Sequence, residues 1–569
     1  MRRKRTLFIV ALSLAVALAF PASAHEQFLS QNQADELMAL VRAVVSGGEI
    51  PDTPALEIST QHPVIVGWQD ERGNYGFAAA TGDTLRDATI AAAGELSVPK
   101  SARLYASVIY KRSRMPNKKK GVFKRGLYGL ARNDGSKTCF VPAELIFYRG
   151  MSLNGAKRTI RENPPCCINE SYGPEGYFRF RATSVVERAD GSAAILFRGA
   201  YPPKVGELIP EFLRKNIELG ADFLVRMIRE NGQYYYQYDP RRDKPDRIRY
   251  NLLRHAGTTY SLYQVCRHLN EPKYCEAAER AWKWLTGQMK TERKGDVTIA
   301  YPEFKGRVKL GGAGLSLICL AERAKATGKY DKQLAQRLVN FVEYMQKPNG
   351  DVYYYYDIRT HRGVDKRKAF YYPGEMTLGL IRLYQVDNDP RYLEIARRTA
   401  EFLIDMRWKI LGIEVAVPPD AWLTMALVEL YEIDPKPKYA KYALKMTNRM
   451  LSEQLGDVPY PDYVGGFVRT PPGVTPAGGR MEAITAAYYL MKKLGKDTSR
   501  IERAMKLATR FQINCLVREE DHFFYPNPTR ALGIFRKKPT SHMARIDYNQ
   551  HNLSSLLIMM KILAEMQKR

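Results

Sequence analysis

Three carboxylates and two histidines stand where polar clusters give way to long apolar runs. They are Glu375 in YYPGEMTLGLIRLY, Asp420 in PPDAWLTMALVELY, Glu482 in GGRMEAITAAYYL, His255 in YNLLRHAGTTYSL and His551 in DYNQHNLSSLLIMM. The same or adjoining clusters hold Asn251, Arg254, Tyr372, Trp422, Arg480 and Asn549. Paired carboxyl groups cleave glycosidic bonds as acid and base or nucleophile. Arginine grips a carboxylate through two parallel N–H bonds, aromatic faces stack on sugar rings, and histidine exchanges a proton near neutral pH. The set points to acid–base chemistry on a saccharide, with Glu375, Asp420, Glu482 and His255 as catalytic candidates. Glu375 or Asp420 would be the acid and Glu482 the partner base or nucleophile. Asn251, Arg254, Tyr372, Trp422, Arg480, Asn549 and His551 are the substrate-binding candidates, the arginines and His255 positioning an acidic sugar. Each residue also has a structural reading. Glu375 follows Pro373-Gly374 in a first helical turn, where a carboxylate complements the helix dipole. Asp420 can cap a helix. Arg480 and Glu482 lie too close in sequence to share a helix face. His255 and His551 fit a packed core as well as a reacting site.

For these residues to meet, the elements carrying them must point the same way. After residue 245 the chain opens an apolar helix six times, at 250–262, 309–320, 371–384, 418–431, 478–490 and 547–560. These helices are apolar on nearly every face and rich in small residues, the pattern of buried helices. Amphipathic helices with exposed charges separate them, and the helix at 208–230 can pair with the last. The pattern predicts twelve helices in six hairpins, an (α/α)6 barrel over 201–569 whose inner helices converge by their N-termini, with openings near 250, 310, 373, 419, 480 and 548. Turn-plus-aromatic phrases such as NGQYYYQYDP (231–240) and NGDVYYYYD (349–357) predict short strands or pocket rims.

Residues 25–200 read as a smaller α+β domain, so the fold class is mainly α with an α+β domain in front of the barrel. Helices are expected near 29–47, 83–96 and 152–162. Hairpins are expected at 62–82 and 126–148, the latter turning at Asn133-Asp134-Gly135, and strands at 102–112, 177–187 and 192–201. Residues 1–24 have the basic, apolar and small-residue segments of a cleavable signal peptide, which predicts a periplasmic or secreted protein with no membrane-spanning segment after cleavage. The charge is strongly positive: residues 201–569 carry 61 Lys and Arg against 42 Asp and Glu. Such a surplus steers anionic partners toward the barrel; an acidic or complex polysaccharide is expected, and no specific nucleic acid, since no nucleic-acid motif is present. The basic run Lys118-Lys119-Lys120 reads as a solvated loop. Cys266 and Cys275 can bridge, one of Cys166 and Cys167 can find Cys139, and Cys319 and Cys515 read as buried thiols. No metal or cofactor is expected, because no third ligand accompanies His255 and His551.

The twelve-helix pattern and the phrases YYPGEMTLGLIRLY and PPDAWLTMALVELY resemble the six-hairpin glycosidase superfamily over about 205–569. The phrase "Gly-Leu-Tyr-Gly-Leu … Phe-Val-Pro" and the element order of the N-terminal domain resemble the AMMECR-type fold. The first resemblance implies a glycoside hydrolase using two carboxylates, or a lyase or epimerase using His255 and His551 as base and acid. It also reaches the zinc-dependent lanthionine cyclases, whose cysteine and histidine ligands this chain does not supply. The leading expectation is therefore an exported hydrolase of an anionic or complex polysaccharide acting through paired carboxylates. The alternatives are a polysaccharide lyase or sugar epimerase, and a non-catalytic envelope protein that binds or assembles glycans.

Overall fold

Small and apolar residues on all faces bury six helices inside a ring of six amphipathic ones. The computed structural model describes residues 28–116, 126–246, 250–365, 368–412, 417–521 and 523–568. The expected signal segment and the Lys118–Lys120 run lie outside the described residues. The N-terminal part contains α1 (Gln31–Ser46), α2 (Leu85–Gly94), α3 (Ala143–Tyr148) and α4 (Leu153–Glu162). Its strands are β1 (Val64–Gln69), β2 (Tyr75–Ala80), β3 (Arg103–Arg114), β4 (Gly129–Asn133), β5 (Thr138–Val141), β6 (Cys166–Ile168), β7 (Gly176–Glu187) and β8 (Ala193–Leu196). They form one antiparallel sheet in the order β2-β1-β3-β7-β4-β5-β6, with β8 beside β7. Ser30 and Gln33 start α1 as a reciprocal capping box, and α1 and α2 bury Leu37, Val41, Leu85 and Ala92 against Val64 and Val108 of the sheet.

Two local expectations are corrected here. The second strand of the 126–148 hairpin stops at Val141, because Pro142 opens α3. A strand the sequence did not suggest, β6, pairs with β5, and the disulfide Cys139–Cys167 ties the two together.

The barrel's outer helices are α5 (Pro210–Arg226), α7 (Pro272–Thr286), α9 (Lys332–Tyr344), α11 (Pro390–Ile410), α13 (Pro437–Ser452) and α15 (Ser499–Cys515). Its inner helices are α6 (Leu252–Leu269), α8 (Leu310–Thr327), α10 (Tyr372–Asp387), α12 (Ala421–Ile433), α14 (Val474–Lys493) and α17 (Ile546–Gln567), with the short α16 (Pro528–Ala531) preceding the last. Each inner helix packs on the next, and α17 returns to α6 while α5 packs on α17, which closes the ring. The (α/α)6 architecture is as expected, with one shift: α14 begins at Val474, so Gly478 and Gly479 lie inside the helix. A Cβ on Gly478 would lie 2.9 Å from the carbonyl carbon of His551. The glycine there permits close packing instead of marking a helix start.

Short strands follow the aromatic phrases. β9 (Gln237–Asp239) pairs with β10 (Lys244–Asp246) and β16 (Ala544–Arg545). β11 (Met289–Lys294), β12 (Val297–Phe304), β13 (Arg307–Lys309), β14 (Tyr355–Asp357) and β15 (Arg362–Val364) make a second antiparallel sheet. Gly232 and Gly350 turn the chain at equivalent places with φ of +86° and +88°. A Cβ there would strike the carbonyl of Arg280 or Arg398 on the next outer helix, so the repeat fixes both the turn and the contact. None of the described helices is long and apolar enough to cross a membrane.

A second disulfide, Cys266–Cys275, joins α6 to α7 across their turn, and Cys166, Cys319 and Cys515 are buried free thiols. Closing so short a loop removes denatured-state entropy worth about 2–3 kcal/mol. The Cys266→Ser/Cys275→Ser variant should lose about that much stability; urea denaturation with and without reductant will show it, and an unchanged midpoint would contradict the expectation.

Candidate active site

The first turns of the inner helices enclose a cavity of about 420 Å³. Asn251 and Arg254 of α6, Tyr372 and Glu375 of α10, Trp422 of α12, Arg480 of α14 and His551 of α17 all line it. These seven candidates, scattered over about 300 residues, are brought together by the convergence of the helices. Asn251 also caps α6, its Oδ1 accepting from the Leu253 N–H at 3.1 Å. Arg480 is held by Glu453 at 2.6 Å.

Glu375 is 6 % exposed, and its Oε2 has no hydrogen-bond partner among the described residues. The carboxyl fits because Gly311 of α8 has no side chain: a Cβ there would lie 2.1 Å from Oε2. Burial first, and the negative Asp420 second, push its pKa well above the usual 4.5, and the opposing charges of Arg254 and Lys309 do not reverse this. Helix-dipole stabilisation, the alternative suggested by its first-turn position, is thus outweighed by desolvation. Burial at the cavity wall thus favours the protonated form of Glu375.

His551 places its imidazole against the edge of Trp422, with ring centroids 5.8 Å apart. Its Nδ1 is 2.7 Å from Glu482 Oε2. Burial lowers its pKa, but the charge and hydrogen bond of Glu482 outweigh burial and leave it above 6.5. Glu482 is 3 % exposed and is also approached by the Tyr260 hydroxyl, which in turn accepts from Gln550 Nε2 at 2.8 Å. It lies behind His551 and does not line the cavity. With Nδ1–H donated to Glu482, Nε2 is free to take a proton.

Three candidates are sealed away from the cavity. Asp420 is fully buried; it caps α12 by accepting from the Trp422 and Leu423 N–H groups at 2.9 and 3.2 Å and pairs with Arg407 at 2.6 Å. Its capping role prevails, and it reaches the site only through its charge. His255 is fully buried, with both ring nitrogens engaged, by the Tyr250 hydroxyl at 2.6 Å and the Ala281 carbonyl at 2.8 Å. Burial holds its pKa down to about 3, so it is a neutral core histidine. Asn549 is fully buried and donates to the carbonyls of Gly220 and Gly533 while accepting from Phe535 N–H, which ties α17 to α5 and its preceding loop. The paired carboxylates expected from Glu375, Asp420 and Glu482 are therefore not assembled.

The sequence reading missed Asp547, Arg545, Gln550 and Tyr371, which also line the cavity. Asp547 forms an ion pair with Arg254 Nε at 3.0 Å and accepts from both Nε and Nη2 of Arg545 at 2.5 and 2.9 Å. Asp547 and His551 are one helical turn apart on α17 and so share a face, a spacing that could have revealed the aspartate. Among the described residues, no group of three metal-ligating side chains is present.

No family profile matches the chain, and no curated protein matches it. Similar solved structures include a D-mannose isomerase at 13% identity, covering 63% of this chain and 99% of that one with a TM-score of 0.47. A cellobiose 2-epimerase from Spirochaeta thermophila DSM 6192 is 16% identical, covering 63% and 98% with a TM-score of 0.46. A family 76 α-mannanase of Bacteroides thetaiotaomicron is 12% identical, covering 64% and 99% with a TM-score of 0.45.

The raised pKa of Glu375 has a consequence for stability. The folded state holds this proton while the unfolded chain, with a carboxyl near the ordinary value, releases it, so stability falls as pH rises above about 4.3. Glu375→Gln should therefore raise Tm at pH 7, with the gain vanishing below about pH 4; a variant less stable than wild type at pH 7 would contradict the neutral-acid assignment. Gly311→Ala should displace the carboxyl and cost about 100-fold in kcat if Glu375 is catalytic, with little change in far-ultraviolet circular dichroism.

Proposed function

We propose that the chain is a carbohydrate-active enzyme that performs acid–base chemistry on an acidic saccharide, with Glu375 as the acid and His551, backed by Glu482, as the base. One observation carries this reading: a carboxyl kept protonated by burial and an imidazole already bonded to a buried carboxylate line one cavity with Trp422, Tyr371 and Tyr372. Aromatic faces suit the apolar side of a sugar ring, and the two polar groups supply opposite proton transfers. His551 Nε2 would remove the proton beside the sugar carboxylate, and Glu482 would stabilise the imidazolium formed. The electron pair left on carbon would either expel the neighbouring glycosidic oxygen, protonated by Glu375, or be reprotonated from the other face. The first outcome is elimination and the second epimerisation. Arg254 and Arg545 would stabilise the negative charge that builds on the carboxylate.

Hydrolysis is the second reading, favoured by Asp547, a carboxylate on the same cavity as Glu375. There Glu375 would protonate the leaving oxygen and Asp547 would activate water. We also propose an exported protein. The two disulfides fit an oxidising compartment, in keeping with the signal-like residues 1–24.

Incubation with acidic and neutral polysaccharides in deuterated water separates the outcomes. Ultraviolet absorbance marks elimination, deuterium in intact sugar marks epimerisation, and reducing ends without absorbance mark hydrolysis. Glu375→Gln and His551→Ala should each lower kcat by about 10²–10⁴-fold. Activity should rise with pH as His551 loses its proton, at a pKa above 6.5, and fall again where Glu375 ionises. Glu482→Gln should move the rising limb to lower pH, because it removes the charge that raises His551. A pH profile and turnover unchanged in all three variants would refute the assignment.

A further inference from the structure

The acid–base cavity is the first of three that adjoin in a row. It shares Asn251, Leu253, Arg254 and Arg545 with a cavity of about 560 Å³. That one shares Arg307 and Lys309 with a third of about 670 Å³. Among the described residues, the middle cavity has Arg254, Lys305, Arg307, Lys309 and Arg545 in its lining and no carboxylate. Tyr236, Tyr250 and Phe304 supply apolar surface between these charges.

The β12–β13 hairpin fixes this arrangement. Phe304 pairs with Arg307 across a two-residue turn, in which Lys305 and Gly306 have φ of +53° and +72°, the signs a tight hairpin of this hand requires. Arg307 and Lys309 alternate with Val308 and so project from the same face of β13, about 7 Å apart. Val308 is buried, and β13 is pinned on its other edge by β14 through Val308–Tyr356 and Lys309–Tyr355. Asp547 serves both Arg254 and Arg545. Among the described residues, no carboxylate stands within ion-pair distance of Lys305, Arg307 or Lys309. Burial, followed by the charges of Arg254 and Arg307, lowers the pKa of Lys309, and the opposing pull of Glu375 does not reverse this.

We infer that this cationic ledge is a binding track for a polymeric substrate, holding the carboxylate or sulfate groups of acidic sugars beyond the one at Glu375 and His551. The inference rests on the saccharide reading of that cavity and extends it from a single sugar to a chain. Arg307 presents a planar fork for a carboxylate or sulfate, Lys305 and Lys309 add flexible point charges, and the aromatic surface between them meets the ring faces. A chain threaded from the acid–base cavity to the third would pass Arg254 and Arg545, then Lys305, Arg307 and Lys309, and then Arg359 beside its partner Asp357, a mainly cationic path that selects for charge repeated along the polymer.

The test is calorimetric titration of the full chain carrying Glu375→Gln, which keeps the ligand intact. The probes are galacturonate and mannuronate as monomer, trimer and hexamer, a chondroitin sulfate hexasaccharide, and cellohexaose as the uncharged control. At least one acidic hexamer should bind about tenfold or more tightly than its monomer, more weakly as salt rises, and more tightly than cellohexaose. Lys305→Ala/Arg307→Ala should lose that gain for the hexamer while binding monomer as before, and Arg307→Lys should retain part of it. Carboxylated and sulfated probes distinguish which acid the ledge prefers. Equal affinity for monomer and hexamer, undiminished binding in the double variant, or no binding by any acidic probe would overturn the track. Wild-type turnover of the same hexamers, measured in parallel, keeps the two claims apart. Length-dependent, ledge-dependent binding without turnover removes the catalytic reading and leaves the track standing. Turnover with length-independent binding does the reverse.

Discussion

The whole site depends on how closely the inner helices approach one another. A Cβ on Gly379 would lie 2.5 Å from the carbonyl oxygen of Gly314, and one on Gly314 would lie 2.7 Å from Met376 N. Gly374 meets Leu423 N at 2.8 Å in the same sense. At the α8–α10 and α10–α12 seams, backbone thus meets backbone, with no side chain between. The consequence is a narrow ring whose six N-termini share a single small space. A larger residue at these seams would widen the mouth and separate Glu375 from His551, even if each helix still formed. The same approach explains why these helices are apolar all round yet poor in bulky residues at their crossings.

Burial alone does not decide what a polar group becomes in such a ring; its partners do. His255 is fully buried and His551 partly buried, each near the start of an inner helix. His255 finds a hydroxyl and a carbonyl, neutral partners that satisfy both nitrogens and leave burial to suppress its charge. His551 finds the carboxylate of Glu482, which favours the charged form enough to overcome burial. The carboxyls diverge in the same way. Asp420 has Arg407 and two backbone N–H groups, whereas Glu375 Oε2 has no hydrogen-bond partner among the described residues and sits against a bare glycine. A satisfied group stabilises the fold. An unsatisfied one, held at a cavity wall, is left facing the cavity with its hydrogen-bonding capacity unused.

This contrast also marks how far the sequence could be read. The apolar runs and their amphipathic partners revealed the ring, its pairing and the inner ends, because helical burial leaves a pattern along the chain. Seven candidates on those ends do line one cavity. Which polar residues faced inward was less legible, since a cap, a core histidine and a catalytic group look alike until their neighbours from other helices are known. Asp420, His255 and Asn549 were claimed by partners such as Arg407, Ala281 and Gly220, none of them predictable from local spacing. Asp547 was within reach, one turn before His551. Arg545 was not, because it precedes the helix on β16, and only the pairing of β16 with β9 brings it to the mouth.

That last dependence gives the N-terminal domain a physical role. Arg545 ends the long segment between α15 and α17 and Asp547 follows it in the first turn of α17, and that segment is braced from outside the barrel. Gln69 of β1 accepts from Phe524 N–H at 2.7 Å and donates to the Tyr525 carbonyl at 3.1 Å. Tyr525 in turn contacts His542 through a 2.7 Å hydrogen bond, and Phe147 and Tyr148 of α3 pack on the same histidine, with centroids 4.0 and 5.2 Å away. Arg518 pairs with Asp521 at 3.0 Å, and Asp521 accepts from the Tyr201 N–H at 2.6 Å, fixing the start of the segment to the chain just after the N-terminal domain. These contacts join buried residues of sheet and barrel into a continuous core. The strand that carries Arg545 therefore inherits its position from both domains, and the geometry of the Arg254–Asp547–Arg545 cluster is a property of the whole chain, not of the barrel alone.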